Sequence, residues 1–526
     1  MDTIKPKSST LTFFIIWFVY MASYSFITIV IREDGYLNFE PLFITSHINT
    51  LFDSGELVKN FFLSYPLLTN LLTYPFSIFG AEDAPFFASI FYTSLFLTKV
   101  VTIIGQGKNH IIKALVFLYF LFSPITFYAA TSGTSLYAFY VLYFSIFYYL
   151  FHYIKKFTTY HITILSIVLS LAIFLDYRVL WGLLPLIFYL FVFSVYGVKG
   201  LSSKNFIVKY IKITQHHALR RKFRGHLSSM IFIIGFFPVA SLLLFLFINY
   251  LMGNDSFYFN NALDTKWNGN SFFSLLDYDT ITGLKNKAVN DFSFLNIVLF
   301  IIPIYVFELI SYYNRALKLF ILLLVPILLG ILVRDSHIDY MSLQYYIIFI
   351  AAGIASIAAK PGKYFTSNKI SYISYACLFI VCIYGEYLYL KNSTFTSEQV
   401  FYKSVMENEQ NNALNQYKNG GRFLAFNTPK NSVVLCDRSI MYPLVAYNKK
   451  NNFFISNASA EFKQALYNPK KYCDYLIISN KKSPFYFLDK VETNFKNIEN
   501  KDLNTNRFTN NTIYYCDAFR IIKIIK

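Results

Sequence analysis

The chain has 526 residues, of which 55% are hydrophobic, 20% aromatic and only 14% charged, with a formal net charge of +18. An ordinary soluble domain carries about 25% charged residues, so this composition excludes a chain that is soluble throughout. Leu, Ile, Phe and Tyr arrive in repeated blocks of roughly 18–22 residues, the length that matches a ~30 Å hydrocarbon core at ~1.5 Å per helical residue.

Inside lipid every backbone N–H and C=O must be paired within its own segment, so these blocks read as transmembrane helices. In chain order they cover approximately 11–31, 84–104, 111–130, 135–153, 161–176, 180–198, 228–250, 293–313, 317–333, 340–358 and 370–390. The sequence therefore predicts a mainly α protein: a polytopic helix bundle of about eleven spans over 1–390, followed by a small α/β domain over 391–526. The first span has basic residues before it and no small-residue cleavage site after it, the pattern of a retained signal anchor.

Orientation follows from the placement of Lys and Arg. If Lys5 and Lys7 are cytoplasmic, that side also holds Lys108, Lys113, Lys155, Lys156, Arg315, Lys318, Lys360, Lys363 and Lys369. It further holds the run 199–226, with Lys199, Lys204, Lys209, Lys212, Arg220, Arg221, Lys222 and Arg224 and no acid. Nearly every carboxylate of the membrane part falls on the opposite side. Much of the positive charge is thus a topological signal rather than a nucleic-acid footprint. The expected location is a bacterial cytoplasmic membrane, N-terminus inside and C-terminal domain outside.

The first outer loop, 32–83, is the most informative stretch. It opens with Arg32, Glu33, Asp34, Gly35 and Tyr36. Residues 41–52 then form an amphipathic pattern, with Ile44, Ile48, Leu51 and Phe52 on one face and Ser46, Asn49 and Asp53 on the other. Such a helix is expected to lie in the plane of the membrane interface. The apolar stretch SYPLLTNLLTYPFSIFG at 64–80 contains Pro66 and Pro75, each of which removes a helix hydrogen bond. Counting it as a span would invert everything downstream, so 62–80 reads as an interfacial or re-entrant element on the outer face.

In the tail, 398–420 reads as one helix ending at Gly420-Gly421. The runs 432–437, 452–456, 474–479 and 512–522 read as strands rich in β-branched and aromatic residues, with helical stretches near 439–447 and 458–467. Cys436, Cys473 and Cys516 in an oxidising compartment leave room for one disulfide and one free thiol.

An acid just after the first span, an amphipathic helix, a Tyr-Pro start to an apolar stretch and a closing Phe-Gly together resemble the GT-C glycosyltransferases, in the branch that includes protein O-mannosyltransferases and the lipid A aminoarabinose transferases. FSPITFYAATSG at 122–133 is similar to that family's third-span exit, and LDYRVLWGLLPL at 175–186 to its fifth-to-sixth turn. At the third-span exit, where family members often carry an acid, this chain has Thr131, Ser132, Thr134 and Ser135. The resemblance implies an inverting transfer of one sugar from a polyprenyl-phosphate donor to an acceptor hydroxyl or amine on the outer face. The acceptor is a lipid, a glycan or a protein; membrane lipids are the other partner, and nucleic acid is not one.

A polyprenyl phosphate is already a good leaving group, so the reaction needs a carboxylate base for the acceptor and cations for the departing phosphate. On the resemblance, Asp34 is the candidate base and Glu33 the second choice. Arg178, Arg334, Arg32 and Lys59 are candidates for the donor phosphate, and Tyr65, His337, Asp339 and Asp176 for substrate contacts. Asp176 is equally placed to pair with Arg178 and Asp335 with Arg334, and Arg32 to snorkel. No metal-ligand set stands out: the Asp277-Tyr278-Asp279 triplet is better explained by chance, and His216-His217 lacks partners at metal spacing. Whether a divalent cation assists is left open. The alternative readings are a lipid-linked-sugar flippase or transporter, which would be expected to show inverted repeats and polar broken spans, and an O-antigen ligase or polymerase.

Overall fold

The computed structural model describes residues 8–33, 38–51, 61–105, 110–156, 158–198, 206–261, 302–313, 315–334, 343–360, 369–393, 396–409, 414–448, 452–457, 459, 461–483, 489–501 and 511–525. The apolar blocks form helices. The first is α1 (Ser8–Glu33), followed by the short α2 (Phe39–Thr50) and α3 (Leu67–Thr73). Then come α4 (Ala84–Gly105), α5 (His110–Phe122), α6 (Pro124–Thr131), α7 (Leu136–Lys156), α8 (Thr159–Leu175) and α9 (Leu183–Gly197). After them lie α10 (Phe206–Gln215), α11 (His217–Gly253), α12 (Pro303–Ser311), α13 (Ala316–Arg334), α14 (Leu343–Ala359) and α15 (Lys369–Lys391).

Among the described residues, six helices are long and apolar enough to cross a membrane, and α5 with α6 makes a seventh if that pair, bent by 62°, is one span. α8 and parts of α13 and α14 are shorter apolar helices, and α12 is the described part of the expected 293–313 span. The protein is an integral, multi-pass membrane protein. The α5–α6 bend has a local cause. Ser123 caps α6, its hydroxyl accepting the Thr126 N–H, and Pro124 occupies the first helical turn, where its missing N–H costs nothing.

Small residues let the helices approach. Ala351, Ala352 and Ala355 are fully buried along α14, which packs on α7, and a Cβ added to Gly353 would meet Ile304 at 2.9 Å. Within the run 199–226, residues 206–215 and 217–226 are helical rather than a connecting loop: α10 and the first turns of α11 are built from them. Residues 61–79 are broken where the prolines stand, with Pro66 capping α3 and Pro75 opening a 3-10 turn, Tyr74–Phe79.

The tail begins with α16 (Thr396–Tyr402) and continues with α17 (Asn415–Asn427), β1 (Val433–Leu435), α18 (Arg438–Ala446), β2 (Phe453–Ile455) and α19 (Phe462–Tyr467). It ends with β3 (Tyr475–Ser479), α20 (Lys490–Lys501), β4 (Thr512–Tyr515) and β5 (Phe519–Lys523). The five strands form one sheet in the order β2-β1-β3-β5-β4. β1 runs parallel to β2 and β3, and β5 antiparallel to β3 and β4. The pleat divides the side chains between two cores. Val434, Phe454, Ile477 and Phe519 face one, together with α17 and α18, while Leu435, Leu476, Ile478 and Phe495 fill the other.

The expected strand 512–522 is a hairpin instead, closed by the Cys516 N–H on the Phe519 carbonyl. None of the three tail cysteines is in a disulfide; Cys436 and Cys473 belong to opposite cores of the sheet. The expected helix 398–420 is also divided, and α17 runs through Gly420-Gly421 rather than ending there. The reason is close packing. A Cβ on Gly420 would lie 2.3 Å from Phe519, and one on Gly421 would lie 2.6 Å from the Leu444 carbonyl oxygen.

This separates two kinds of helical glycine. Gly421→Ala forces α17 off α18 against backbone atoms and should cost about 1–3 kcal/mol, read as a lower melting temperature of the whole protein. Gly235→Ala in α11, whose added Cβ meets nothing within 4 Å, should leave stability unchanged or slightly raised.

Candidate functional site

α2 organises the outer end of the bundle. Asn38 caps it by accepting the Glu40 N–H, and all twelve of its residues are buried. The polar face expected to meet water meets protein instead. Asn49 Nδ2 donates to the carbonyls of Val445, Ala446 and Asn448 at 3.1–3.2 Å. The Thr50 hydroxyl accepts from Arg438 Nη1 at 2.6 Å, and the Thr45 hydroxyl donates to the Ala81 carbonyl. A helix read as interfacial is thus clamped between the membrane bundle and the α/β unit.

Beside it lies a polar cavity of about 100 Å³, lined by Arg32, Asn38, Thr45, Glu82, Lys418 and Tyr447 among others. Arg32, at the end of α1, pairs with Asp83, lies 3.7 Å from Glu82 and sits over the Phe86 ring. It is neither free nor merely snorkelling. Lys418, half-buried on α17, has no ion-pair partner among the described residues. Burial pushes the Tyr447 phenol up, so it remains a neutral hydrogen-bonding group near pH 7. The chain enters the stretch 34–37 from Arg32 and Glu33 and leaves it at Asn38, so cavity-lining residues stand on both sides of that stretch.

A second group sits where α8 ends. Asp176 and Arg178 pair at 2.6 Å, and the same carboxylate accepts the Arg178 N–H, so this cation is neutralised in place. Tyr65 lies beside them: its hydroxyl accepts the Tyr177 N–H and donates to the Ile173 carbonyl. None of the three lines the polar cavity. Asp34, Lys59, His337 and Asp339 lie outside the described residues, as do the Asp277-Tyr278-Asp279 triplet and Asp335. Glu33 and Arg334 are described only as the ends of α1 and α13. Among the described residues no group of three or more His, Cys, Asp or Glu is placed to hold a metal.

The structure also gives partners to three carboxylates outside the expected site. Glu40, from α2, accepts the Ser135 N–H at 2.8 Å at the start of α7. It thereby brings an acid to the third-span exit, where the sequence itself shows only Thr and Ser. Glu386 of α15 accepts from Tyr119, Ser123 and the Ile125 N–H, holding the α5–α6 break closed. Glu308 pairs with Lys360 at 2.7 Å. For Glu308 and Glu386 the sequence signal is an acid within five residues of the end of an apolar block. It does not say which helix supplies the partners.

A nearly all-apolar groove of about 590 Å³ runs along α15, lined by Phe122, Phe127, Ile383, Tyr387, Phe401 and Met406 among others. Tyr128 links it to the cavity: its ring meets Phe401 edge-on at 4.9 Å, and its hydroxyl accepts from Asn38 Nδ2 at 3.4 Å.

No family model and no curated protein sequence matches the chain. Solved structures do. ArnT from Cupriavidus metallidurans bound to undecaprenyl phosphate aligns over 96% of this chain and 97% of that one, with a TM-score of 0.51 at 12% identity. The apo state of ArnT gives 0.48 at 13% identity. The apo oligosaccharyltransferase of Archaeoglobus fulgidus gives 0.41 at 11% identity, over 90% of this chain and 70% of that one. The chain has the GT-C fold, from its first span to its C-terminal unit.

One carboxyl outside the spans has a pH signature. Glu398 on α16 accepts the Leu343 N–H that opens α14 and the Ser393 hydroxyl. Burial pushes its pKa up to about 7 against these hydrogen bonds. The unfolded value is about 4.3, so the folded state holds a proton that the unfolded state has lost between those limits. On this group's account stability is greatest below about pH 4.3, falls as pH rises to about 7, and has then dropped by roughly 3–4 kcal/mol. Glu398→Gln should flatten that part of the melting-temperature profile; an unchanged slope would show that Glu398 does not set it.

Proposed function

We propose that this protein is an inverting glycosyltransferase that moves one sugar from a polyprenyl-phosphate donor to an acceptor hydroxyl or amine on the outer face of the membrane. The carrying observation is the polar cavity at the end of α1, in a GT-C fold, with lining residues on both sides of 34–37. In this reading Asp34 removes the acceptor proton as the acceptor atom attacks the anomeric carbon. The bond from that carbon to the phosphate oxygen breaks, and polyprenyl phosphate leaves with its electron pair. Glu33 is the alternative base.

Supply of positive charge to the departing phosphate is the second requirement. Arg32 is the candidate at the cavity itself, held in orientation by Asp83 and Glu82. Arg178, Arg334 and Lys59 are the further candidates, with Tyr65, Asp176, His337 and Asp339 as substrate contacts. The Asp176–Arg178 pair weakens the case for Arg178, because a phosphate would have to compete with a buried carboxylate at 2.6 Å. The groove beyond Tyr128 suits an isoprenoid chain in its apolarity and in its link to Asn38. The reading also places the cavity and the α/β unit outside the cytoplasm, in a bacterial cytoplasmic membrane, following the charge bias of the loops.

The test is sugar transfer by the purified protein from a panel of radiolabelled polyprenyl-phosphate sugars. Wild type should transfer from at least one donor. Asp34→Asn or Glu33→Gln should lower turnover by about 10²–10⁴-fold while donor binding is kept. No turnover with any donor, or turnover indifferent to both substitutions, would contradict the assignment.

A further inference from the structure

The proposed reaction leaves the basic run 199–226 unused, although it gathers eight cations and no acid. α10 is too short to cross a membrane, at ten residues or about 15 Å. Its packed side sets Phe206, Tyr210 and Ile213 against Val195, Val198 and Phe223, and Lys209 Nζ donates to the Tyr196 carbonyl at 2.8 Å. Its other side leaves Ile207, Val208 and Ile211 exposed as one apolar stripe, with Lys212 exposed beside it. An apolar stripe on a short helix flanked by cations is the pattern of a helix lying among lipid headgroups.

α11 completes the surface. It has 37 residues, about 55 Å of helix, against a hydrocarbon core of ~30 Å. His217, Arg220, Arg221, Arg224, Gly225 and Ser228 line one open pocket of about 450 Å³. From Arg221, steps of three and four residues lead through Gly225 and Ser228 to Phe232, Phe236, Val239, Leu243 and Phe247, every one of them exposed. One side of one helix therefore changes from arginine to aromatic and aliphatic groups over about three turns. A topological signal alone needs cations near a span end. It does not need them on the lipid-facing stripe around a pocket.

We infer that this surface binds an anionic phospholipid. Arg220, Arg221 and Arg224 hold the phosphate, and the acyl chains lie along Phe232, Phe236 and Val239. Guanidinium groups match phosphate oxygens in fork geometry, and the absence of any acid in 199–226 leaves them unopposed by neighbours in the run. The apolar stripe directly below favours a lipid over a soluble anion or an acidic protein, neither of which would cover it.

Native mass spectrometry of the full-length protein, released from detergent containing equal amounts of phosphatidylglycerol and phosphatidylcholine, tests this directly. Phosphatidylglycerol should be retained in preference. Arg220→Gln, Arg221→Gln and Arg224→Gln combined should weaken its retention by roughly tenfold or more. The corresponding triple change to Lys should keep most of it, which guards against a folding defect. Phe232→Ser with Phe236→Ser should also reduce retention. Equal retention of the two lipids, retention indifferent to the Gln triple, or full displacement by soluble glycerol phosphate or an acidic polypeptide would overturn the proposal.

Discussion

Burial of α2 on every side is the constraint on which the outer half of this protein depends. A helix carrying Glu40, Thr45, Ser46, His47, Asn49 and Thr50 cannot be enclosed unless those side chains find partners, because an unsatisfied buried polar group costs about 1–3 kcal/mol. The partners come from both directions. Ser135 and Ala81 belong to the membrane bundle, while Val445, Ala446, Asn448 and Arg438 belong to the α/β unit. The tail is therefore a structural complement of the first outer loop, and Lys418 and Tyr447 reach the polar cavity because Asn49 and Thr50 hold α18 in place.

The same logic explains how the bundle accommodates its charge. Glu386 closes the α5–α6 break by satisfying the donors that a proline and a bend expose. Glu308 and Lys360 neutralise each other, with the Tyr375 hydroxyl donating to the same carboxylate. Asp176 neutralises Arg178. Each is costly to bury alone and tolerable when paired or hydrogen-bonded. Charges without an ion-pair partner among the described residues stand out by contrast: Lys418 at the cavity, and the arginines at the start of α11.

Much of this was legible in the sequence, for identifiable reasons. Apolar block length marked the long helices among the described residues, prolines 66 and 75 marked the broken element, and β-branched runs marked β1, β2 and β3. The burial of α2 was not legible, because an amphipathic pattern records that one face is polar but not whether water or another protein surface will meet it. Gly420-Gly421 read as a helix stop by local preference, while the actual cause was long-range contact with Phe519 and the Leu444 carbonyl. The carboxylate at the third-span exit escaped notice because Glu40 arrives there from another segment, 95 residues earlier. The cysteines suggested a disulfide by count alone, yet Cys436 and Cys473 are divided by the pleat of the sheet.

In the proposed reaction the lipid-phosphate donor presents its sugar at the polar cavity between the end of α1, α2 and the α/β unit. A photoreactive polyprenyl-phosphate sugar, with the reactive group near the phosphate, would test it by mapping the labelled peptides. Labelling of peptides around Arg32–Asn38 and around Lys418, competed by unmodified donor, is the predicted result. Competable labelling confined to other segments, with the cavity peptides untouched, would contradict it.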